Sequence, residues 1–307
     1  MQTVEPGPAD PFRYTPYDGS KQPFSIGLAP VEEARWFDPD PLLAQHLQLK
    51  DALFRDRLDR VFRAEPGTEA AQAETFRLMA AHLPVAHPAL YGEVDGGVLV
   101  RASGAVVGLS GTDTPGLLSA ARLVQDDLVL MRKGEGGYRI AAAALCFPSS
   151  WSLAEKFRQP MSEIHAKVPG FAGRMGQTVD RIFDNLRDGQ IIERFNWSVY
   201  DDAELHHPEA KQLTPQVGDV DGSLLAALFV RVERQSLRRL PASGDILFTI
   251  KIHQDPLALL ARHPGGRELA AGLARQLRAM ELAQLAYKGL TGHRDRLAAD
   301  LEALAHS

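Results

Sequence analysis

The chain is poor in cysteine, in long apolar runs and in net positive charge, and each shortage excludes a class of protein. Cys146 is the only cysteine among 307 residues. One cysteine excludes an internal disulfide, a zinc site of several thiolates and an iron–sulfur cluster held by four cysteines of this chain. No segment approaches the roughly 18 consecutive apolar residues of a membrane-spanning helix. Lys and Arg number 34 against 39 Asp and Glu, so a net charge of −5 argues against nucleic-acid binding.

Several signatures of catalysis are also missing. The sequence has no glycine-rich phosphate loop, no Gly-x-Ser-x-Gly turn, no His-Glu-x-x-His and no Cys-x-x-Cys-His site for covalent haem. The nearest glycine-rich turn, Gly108-Leu109-Ser110-Gly111, lacks the lysine and the spacing of a nucleotide cradle. Residues 1–10 lack the basic and apolar regions of a secretory signal. With the lone cysteine, this predicts a reducing compartment, and the cytoplasm is the default.

Proline divides the chain into an N-terminal arm, residues 1–41, and a body, residues 42–307. Eight prolines in the arm forbid a continuous helix there. The arm also contains six aromatic residues, which is too many for a disordered tail. We therefore expect an extended arm that packs on the body, and we interpret the body as a single domain.

Apolar spacing predicts helices near both ends of the body and strands between them. Helical spacing covers residues 41–63, 68–82, 171–188, 267–286 and 290–305. Alternating or continuously apolar runs predict strands at residues 97–109, 123–131, 138–147, 192–200, 226–234 and 245–253. The short links between them favour antiparallel hairpins over helical crossovers. The expected fold class is therefore α+β, with an antiparallel sheet flanked by N-terminal and C-terminal helices.

The first cluster that could carry chemistry surrounds His165. Pro160 and Pro169 bound this histidine and stiffen the backbone on either side. A neutral imidazole held in this way is either a ligand for haem iron or a structural histidine bonded to a carbonyl, and spacing alone leaves both interpretations open. Trp151 follows the end of a predicted strand, where its ring could form an apolar lid. His253, at the end of another predicted strand, is the second candidate for an iron ligand.

Two predicted strands carry charged residues on one face. Strand alternation places Arg194 and Asn196 on the same face, either toward a ligand or toward solvent. It also makes Arg231 and Glu233 neighbours that could pair, and Arg234 adds positive charge suited to carboxylates or phosphates. These strands are interpreted either as a ligand-binding wall or as a solvated, salt-bridged surface.

Short segments spread over most of the chain carry a family resemblance. They are Phe37-Asp38-Pro39-Asp40, residues 124–130, Cys146-Phe147-Pro148-Ser149-Ser150-Trp151, Glu155-Lys156, Ile164-His165, Val168-Pro169, Arg194, Asn196-Trp197, residues 231–235, Leu240-Pro241, residues 246–250 and Tyr287-Lys288-Gly289. Through these segments the sequence resembles the haem-dependent oxidative N-demethylases, the family that includes the haem-binding subunit of bacterial dimethylamine monooxygenase.

The resemblance implies a PAS-like antiparallel sheet that holds non-covalent haem b. It also implies oxidation of a small methylated amine with O₂ and with electrons from a partner reductase. The residues expected at the site are Glu233 and Arg231 for catalysis and His165, Lys156, Arg234, Trp151 and Arg194 for cofactor binding, with His165 as the iron ligand. Among these, Lys156, Arg231 or Arg234 could bind the haem propionates, and Glu233 could neutralise an ammonium.

The sequence contains no motif of its own for accepting electrons from a nicotinamide cofactor. No Gly-x-Gly-x-x-Gly fingerprint follows any predicted strand, and one cysteine cannot ligate an iron–sulfur cluster. We therefore expect a separate NAD(P)H-dependent reductase.

Two alternatives to an oxygenase remain open, because fold does not decide function. One is a PAS-like haem-binding sensor without turnover, and the other is a haem-free binding or scaffold protein.

Overall fold

A seven-stranded antiparallel sheet forms the centre of the molecule in a computed structural model that describes residues 10–108, 114–210, 213, 217 and 220–307. The strands are β1 (Ala29–Val31), β2 (Phe62–Ala64), β3 (Tyr91–Val94), β4 (Gly97–Val100), β5 (Ala105–Val107), β6 (Asp127–Gly134), β7 (Gly137–Ala144), β8 (Ile191–Tyr200), β9 (Phe229–Arg239) and β10 (Ile246–Pro256). The large sheet has the order β1-β8-β9-β10-β6-β7-β2, and β3, β4 and β5 form a small second sheet.

The helices lie between β1 and β2, between β2 and β6, between β7 and β8, and after β10. They are α1 (Leu43–Asp56), α2 (Leu58–Val61), α3 (Glu69–Ala86), α4 (Gly116–Ala121), α5 (Leu153–Lys156), α6 (Met161–Ile164), α7 (Gly176–Asn185), α8 (Gly266–Ala279), α9 (Leu282–Tyr287) and α10 (Arg294–His306). A single π-helical turn, Phe171–Met175, leads into α7. This mixture confirms the α+β class. In the described part of the chain, no helix is both long and apolar enough to cross a membrane.

The element boundaries differ from the sequence predictions in two informative places. The helix predicted over residues 41–63 is broken at Arg57, whose φ of −144° and ψ of 34° are not helical and end α1 before α2 begins. The strand predicted over residues 97–109 is a hairpin, because Gly104 adopts a φ of +71° and turns the chain between β4 and β5. Residues 1–9 of the predicted arm and residues 109–113, which include most of the glycine-rich turn, lie outside the described residues.

Two apolar clusters hold the helices to the sheet. The smaller one joins β8 and β9 to the C-terminal helices, where Leu273 and Leu277 of α8 lie buried with Leu297 and Leu301 of α10. The i, i+4 spacing in both helices puts each pair on one face. Each such buried leucine contributes about 1.5–3 kcal/mol relative to an exposed one, so this cluster fixes the C-terminal helices beside β8.

The N-terminal segment lies against this framework. Tyr17 and Trp36 are fully buried, one in each apolar cluster. The Phe12 backbone N–H donates to the Asp255 carboxylate at 3.1 Å. Further along, β1 pairs with residues 191–193 of β8. The segment from residue 12 to residue 31 is thus attached at both ends, and its middle portion crosses the region described next.

Candidate functional site

A cavity of about 540 Å³ lies between the large sheet and the connection that contains α5, α6 and α7. Its volume is in the range of small-molecule and cofactor sites. Much of its wall is apolar and comes from inward-facing strand residues and from the covering helices: Val129, Met131, Ile140, Leu237, Phe248, Ile250, Met161, Ile164, Val168, Val179 and Ile182. The sheet alternation that buries these residues also aims the polar ones described below at the same space.

His165 lies in this wall, directly after α6. Its Nδ1–H donates to the carbonyl oxygen of Met161 at 3.1 Å, one helical turn earlier. Its ring stacks on Phe171 with centroids 4.4 Å apart and an interplanar angle of 17°. Burial lowers the pKa of His165 to about 4, so the imidazole is neutral at pH 7. With Nδ1 engaged, Nε2 keeps its lone pair for a ligand in the cavity.

Lys156 and Arg194 line the cavity and form no ion pair with a carboxylate among the described residues. Lys156 extends over Trp151, with Nζ 4.7 Å from the ring centroid, and burial lowers the pKa of Lys156 to about 8. Arg194 makes no hydrogen bond or ion pair among the residues that the structure describes, and its Nε is buried. Burial lowers the pKa of Arg194, and the charge of Glu233 opposes that effect. An unpaired buried cation is unfavourable, so both groups are suited to an anionic ligand.

Glu233 provides the negative charge in the same cavity. It is 7% exposed, and its Oε2 accepts hydrogen bonds from Gln235 Nε2 at 2.7 Å and from Asn196 Nδ2 at 3.3 Å. Lys288, just after α9, donates from Nζ to the Trp197 carbonyl and lies 3.4 Å from Asn196 Oδ1. Burial lowers the pKa of Lys288 to about 8.

Lys288, Tyr287 and Gln235 were not among the residues expected at the site, although all three line the cavity. Tyr287 and Lys288 belong to one of the segments that carry the family resemblance, and this was the available signal. This signal could not show that they line the cavity, because the periodicity of a C-terminal helix does not reveal that the end of the helix lies beside β8.

Arg231 and Arg234 are not among the cavity-lining residues, whereas Trp151, Lys156, His165, Arg194 and Glu233 are. The guanidinium of Arg231 donates to Ser149 Oγ at 3.0 Å and to the carbonyls of Phe147 and Leu205 at 3.0 and 2.9 Å. Arg231 therefore holds the loop that carries Ser149 and Trp151 into the cavity wall, and it forms no ion pair with Glu233 within the described chain.

Arg234 and His253 belong to the other face of the sheet. Arg234 pairs with Glu193 at 2.8 Å and donates to the carbonyls of Trp36 and Arg35 at 3.0 and 2.7 Å. His253 packs its ring on Tyr14 with centroids 4.9 Å apart and does not line the cavity. Of the two histidines considered as iron ligands, only His165 borders the cavity.

Haem is a flat, largely apolar ring that is centred on a metal and carries two carboxylates. The apolar walls suit the ring, and a neutral imidazole with a free lone pair suits the iron. Arg194 and Lys156, which form no ion pair within the described part of the chain, suit the carboxylates. The residues present therefore fit this group. Across the described residues, no cluster of three or more His, Cys, Asp or Glu could hold a metal ion.

Comparison with known families gives an independent finding. A family model described as "Haem-dependent oxidative N-demethylase, alpha subunit-like" matches residues 27–298. The match includes β1 to β10 and α1 to α9, as well as His165, Arg194 and Glu233. The part of the N-terminal segment before residue 27 lies outside the matched range, although it also lines the cavity.

Proposed function

The chain belongs to the haem-dependent oxidative N-demethylase, alpha subunit-like family, and from this premise we propose that it binds haem b and oxidatively removes a methyl group from a small methylated amine. The observation that carries the proposal is the position of His165 in the wall of the large cavity, neutral and with Nε2 free. The reaction class follows from the family, and the cavity supports it by its fit to the cofactor.

His165 would ligate the haem iron through Nε2. The hydrogen bond from Nδ1 to the Met161 carbonyl and the stack on Phe171 limit rotation of the ring, and such support of a ligating histidine fixes both its tautomer and its direction. Lys156 and Arg194 would donate charge-assisted hydrogen bonds to the propionates. When bound, haem would supply the binding and activation of O₂ and the oxidation of the N-methyl group.

Glu233 would bind the substrate amine in its protonated form. A methylammonium that enters a partly desolvated cavity needs a compensating anion. Among the described residues that line this cavity, Asp18 is exposed to solvent, whereas the Glu233 carboxylate is buried. The bonds from Gln235 and Asn196 both reach Oε2, so Oε1 remains available to accept from the ammonium. The apolar wall around it would exclude water from the methyl group.

A partner protein would supply the electrons. The family is one of alpha subunits, which supports an assembly with other subunits, and we propose that one of them is an NAD(P)H-dependent reductase. The five long antiparallel strands, with the cavity-forming helices inserted between β7 and β8, support the PAS-like interpretation of the sheet. That interpretation, like the cytoplasmic location, stays a prediction.

Haem binding is tested with His165→Ala and with His253→Ala as the matched control. We expect the wild-type chain and His253→Ala to take up haem with the same Soret band, and His165→Ala to lose haem or shift the band. A His165→Ala variant that keeps the wild-type haem content and band position would show that His165 is not the ligand.

Turnover is tested with the haem-loaded chain, O₂, a methylated amine and an added electron-donating reductase. Oxidative N-demethylation converts R₂N–CH₃, O₂, two electrons and two protons into R₂NH, formaldehyde and water, so formaldehyde is the product to measure. Haem uptake with amine-induced spectral change but no formaldehyde, under conditions in which the haem is reduced, would favour the sensor over the oxygenase.

A further inference from the structure

One part of the cavity wall comes from the N-terminal segment. Residues 18–28, here called the strap, contribute much of it and cross the cavity between two attachments. On the N-terminal side, Tyr17 is fully buried and packs edge-to-face on Trp197 at 6.0 Å. On the C-terminal side the strap runs into β1, which pairs with β8. A segment fixed at both ends is a defined wall with little freedom to move away.

The N-terminal part of the strap is also held by α8. Arg275 Nη2 donates to the Asp18 carbonyl at 3.2 Å, and Gln276 Nε2 donates to the Lys21 carbonyl. Gln276 is buried. These side chains pair carbonyls of an irregular segment that has no partner strand before β1.

Phe24 is the residue of the strap whose geometry is least ordinary. Its φ of +61° lies in the left-handed region, which is unfavourable for a bulky side chain and persists only where the surroundings enforce it. The ring is half-buried and packs on Tyr287 with centroids 5.9 Å apart. The backbone is thus strained in a way that turns an aromatic ring inward, onto the cavity wall.

The ring of Phe24 lies close to the anionic part of the cavity. Lys288 Nζ is 5.1 Å from the Phe24 centroid and 5.0 Å from the Trp197 centroid. The same Nζ lies 3.4 Å from Asn196 Oδ1, and Asn196 donates to Glu233. One chain of contacts therefore connects the strap to the carboxylate that would bind the amine, and the cation that the faces of Phe24 and Trp197 hold within this chain is Lys288.

We propose that Phe24 determines which amines the cavity accepts, by limiting the size of the second N-substituent on a substrate whose ammonium is held by Glu233. This inference rests on the proposed function. The fixed strap keeps the ring in place, so a larger substituent cannot displace it without breaking the contacts to Tyr287 and α8. A small secondary or tertiary methylamine is the substrate class that fits, and longer N-alkyl chains are excluded.

The test uses the full haem-loaded chain and a series of amines, dimethylamine, N-methylethylamine and N-methylbutylamine. Binding is followed by the amine-induced change in haem absorption and, independently, by calorimetry. For the wild type we expect affinity to fall as the chain lengthens. In Phe24→Ala we expect the ratio of N-methylbutylamine to dimethylamine affinity to rise about tenfold or more, because the two amines differ by three methylenes and one methylene alone provides about tenfold discrimination.

Two further variants keep the result interpretable. Phe24→Leu retains an apolar side chain and should restore part of the wild-type size preference. Leu282→Ala, on the exposed face of α9 at 74% exposure, should leave that preference unchanged. If Phe24→Ala and Phe24→Leu both keep the wild-type ratio, or if they lose haem instead of changing the ratio, the specificity role is wrong while the proposed function stands. If no amine perturbs the wild-type protein, the proposed function itself fails.

Discussion

Arg194 and Arg234 lie on adjacent strands of the same sheet, yet their surroundings are opposite. Arg234 of β9 faces away from the cavity, is 2% exposed, and binds Glu193 and two backbone carbonyls. Arg194 of β8 faces the cavity, is half-buried with its Nε inaccessible to solvent, and has no hydrogen-bond partner among the described residues. The strand register places Arg194 opposite Gln235 and Arg234 opposite Phe195, so one residue position separates the two situations.

Lys251 and Lys156 differ from each other in the same way as the two arginines. Lys251 on β10 is fully buried on the face away from the cavity and pairs with Asp40 at 2.9 Å. Lys156 in the cavity wall contacts the Trp151 ring and has no carboxylate partner in the described chain. Removing one partner of a buried ion pair destabilises the fold, because the other charge is left buried and unpaired. A buried cation that has no partner in the fold indicates instead a site for an anionic ligand. Burial alone therefore does not distinguish a structural cation from a binding one.

The largest expected effect is from Arg234→Met. This change leaves Glu193 and two carbonyls without their donor, so we expect the free energy of unfolding of the haem-free chain to fall by about 3–5 kcal/mol. Urea denaturation measures it. The same substitution at Arg194 is the matched control and should change this free energy by less than about 1 kcal/mol. Equal losses in both variants would remove the distinction between the two arginines.

Arg194→Met should instead weaken haem binding. The loss of a charge-assisted hydrogen bond to a propionate is worth about 1.5–3 kcal/mol, which corresponds to a decrease in haem affinity of about 10- to 100-fold. Competition for haem with apomyoglobin measures the effect. Arg181→Met, which removes an exposed arginine of α7 outside the cavity wall, should leave the affinity unchanged. If Arg194→Met keeps the wild-type haem affinity, Arg194 does not bind a propionate.

Glu233→Gln should act on the amine and not on haem. The substitution keeps the shape of the side chain and removes its charge, so amine affinity should fall by about tenfold while haem content stays the same. The amine-induced change in the haem spectrum reports both. Unaltered amine affinity would move Glu233 to a structural role, as the acceptor for Gln235 and Asn196.

The smallest expected effect is a pH dependence of haem affinity. Burial lowers the pKa of Lys156 to about 8, so its positive charge is lost as the pH rises through that value. An anion favours the charged form, and haem affinity should therefore decrease between pH 7 and pH 9, by less than about tenfold. Lys156→Gln should flatten this dependence. An affinity that rises over the same interval in the wild type would contradict it.

The sequence predicted the strand faces that form this site better than it predicted which residues line the cavity. Alternation in β8 correctly put Arg194 and Asn196 on one face, and the spacing around β9 put Arg231 and Glu233 on one face. Alternation could not show that Arg231 lies beyond the cavity, where Ser149 and the carbonyls of residues 147 and 205 engage it. Alternation shows which face of the strand a side chain lies on, but it does not show which loop covers each end of the strand.

The amino-acid sequence by itself indicated the long strands and the long helices, the family, and the short set of histidines and charged residues from which a site could be built. The reason is that backbone preferences and apolar periodicity act over a few residues. Only the tertiary structure decided that Lys288 after α9 and Phe24 in the N-terminal segment meet β8 beside the same cavity. It also decided which buried cations find carboxylates, because pairing depends on contacts between distant segments, such as that of Lys251 with Asp40, about 210 residues apart in the chain.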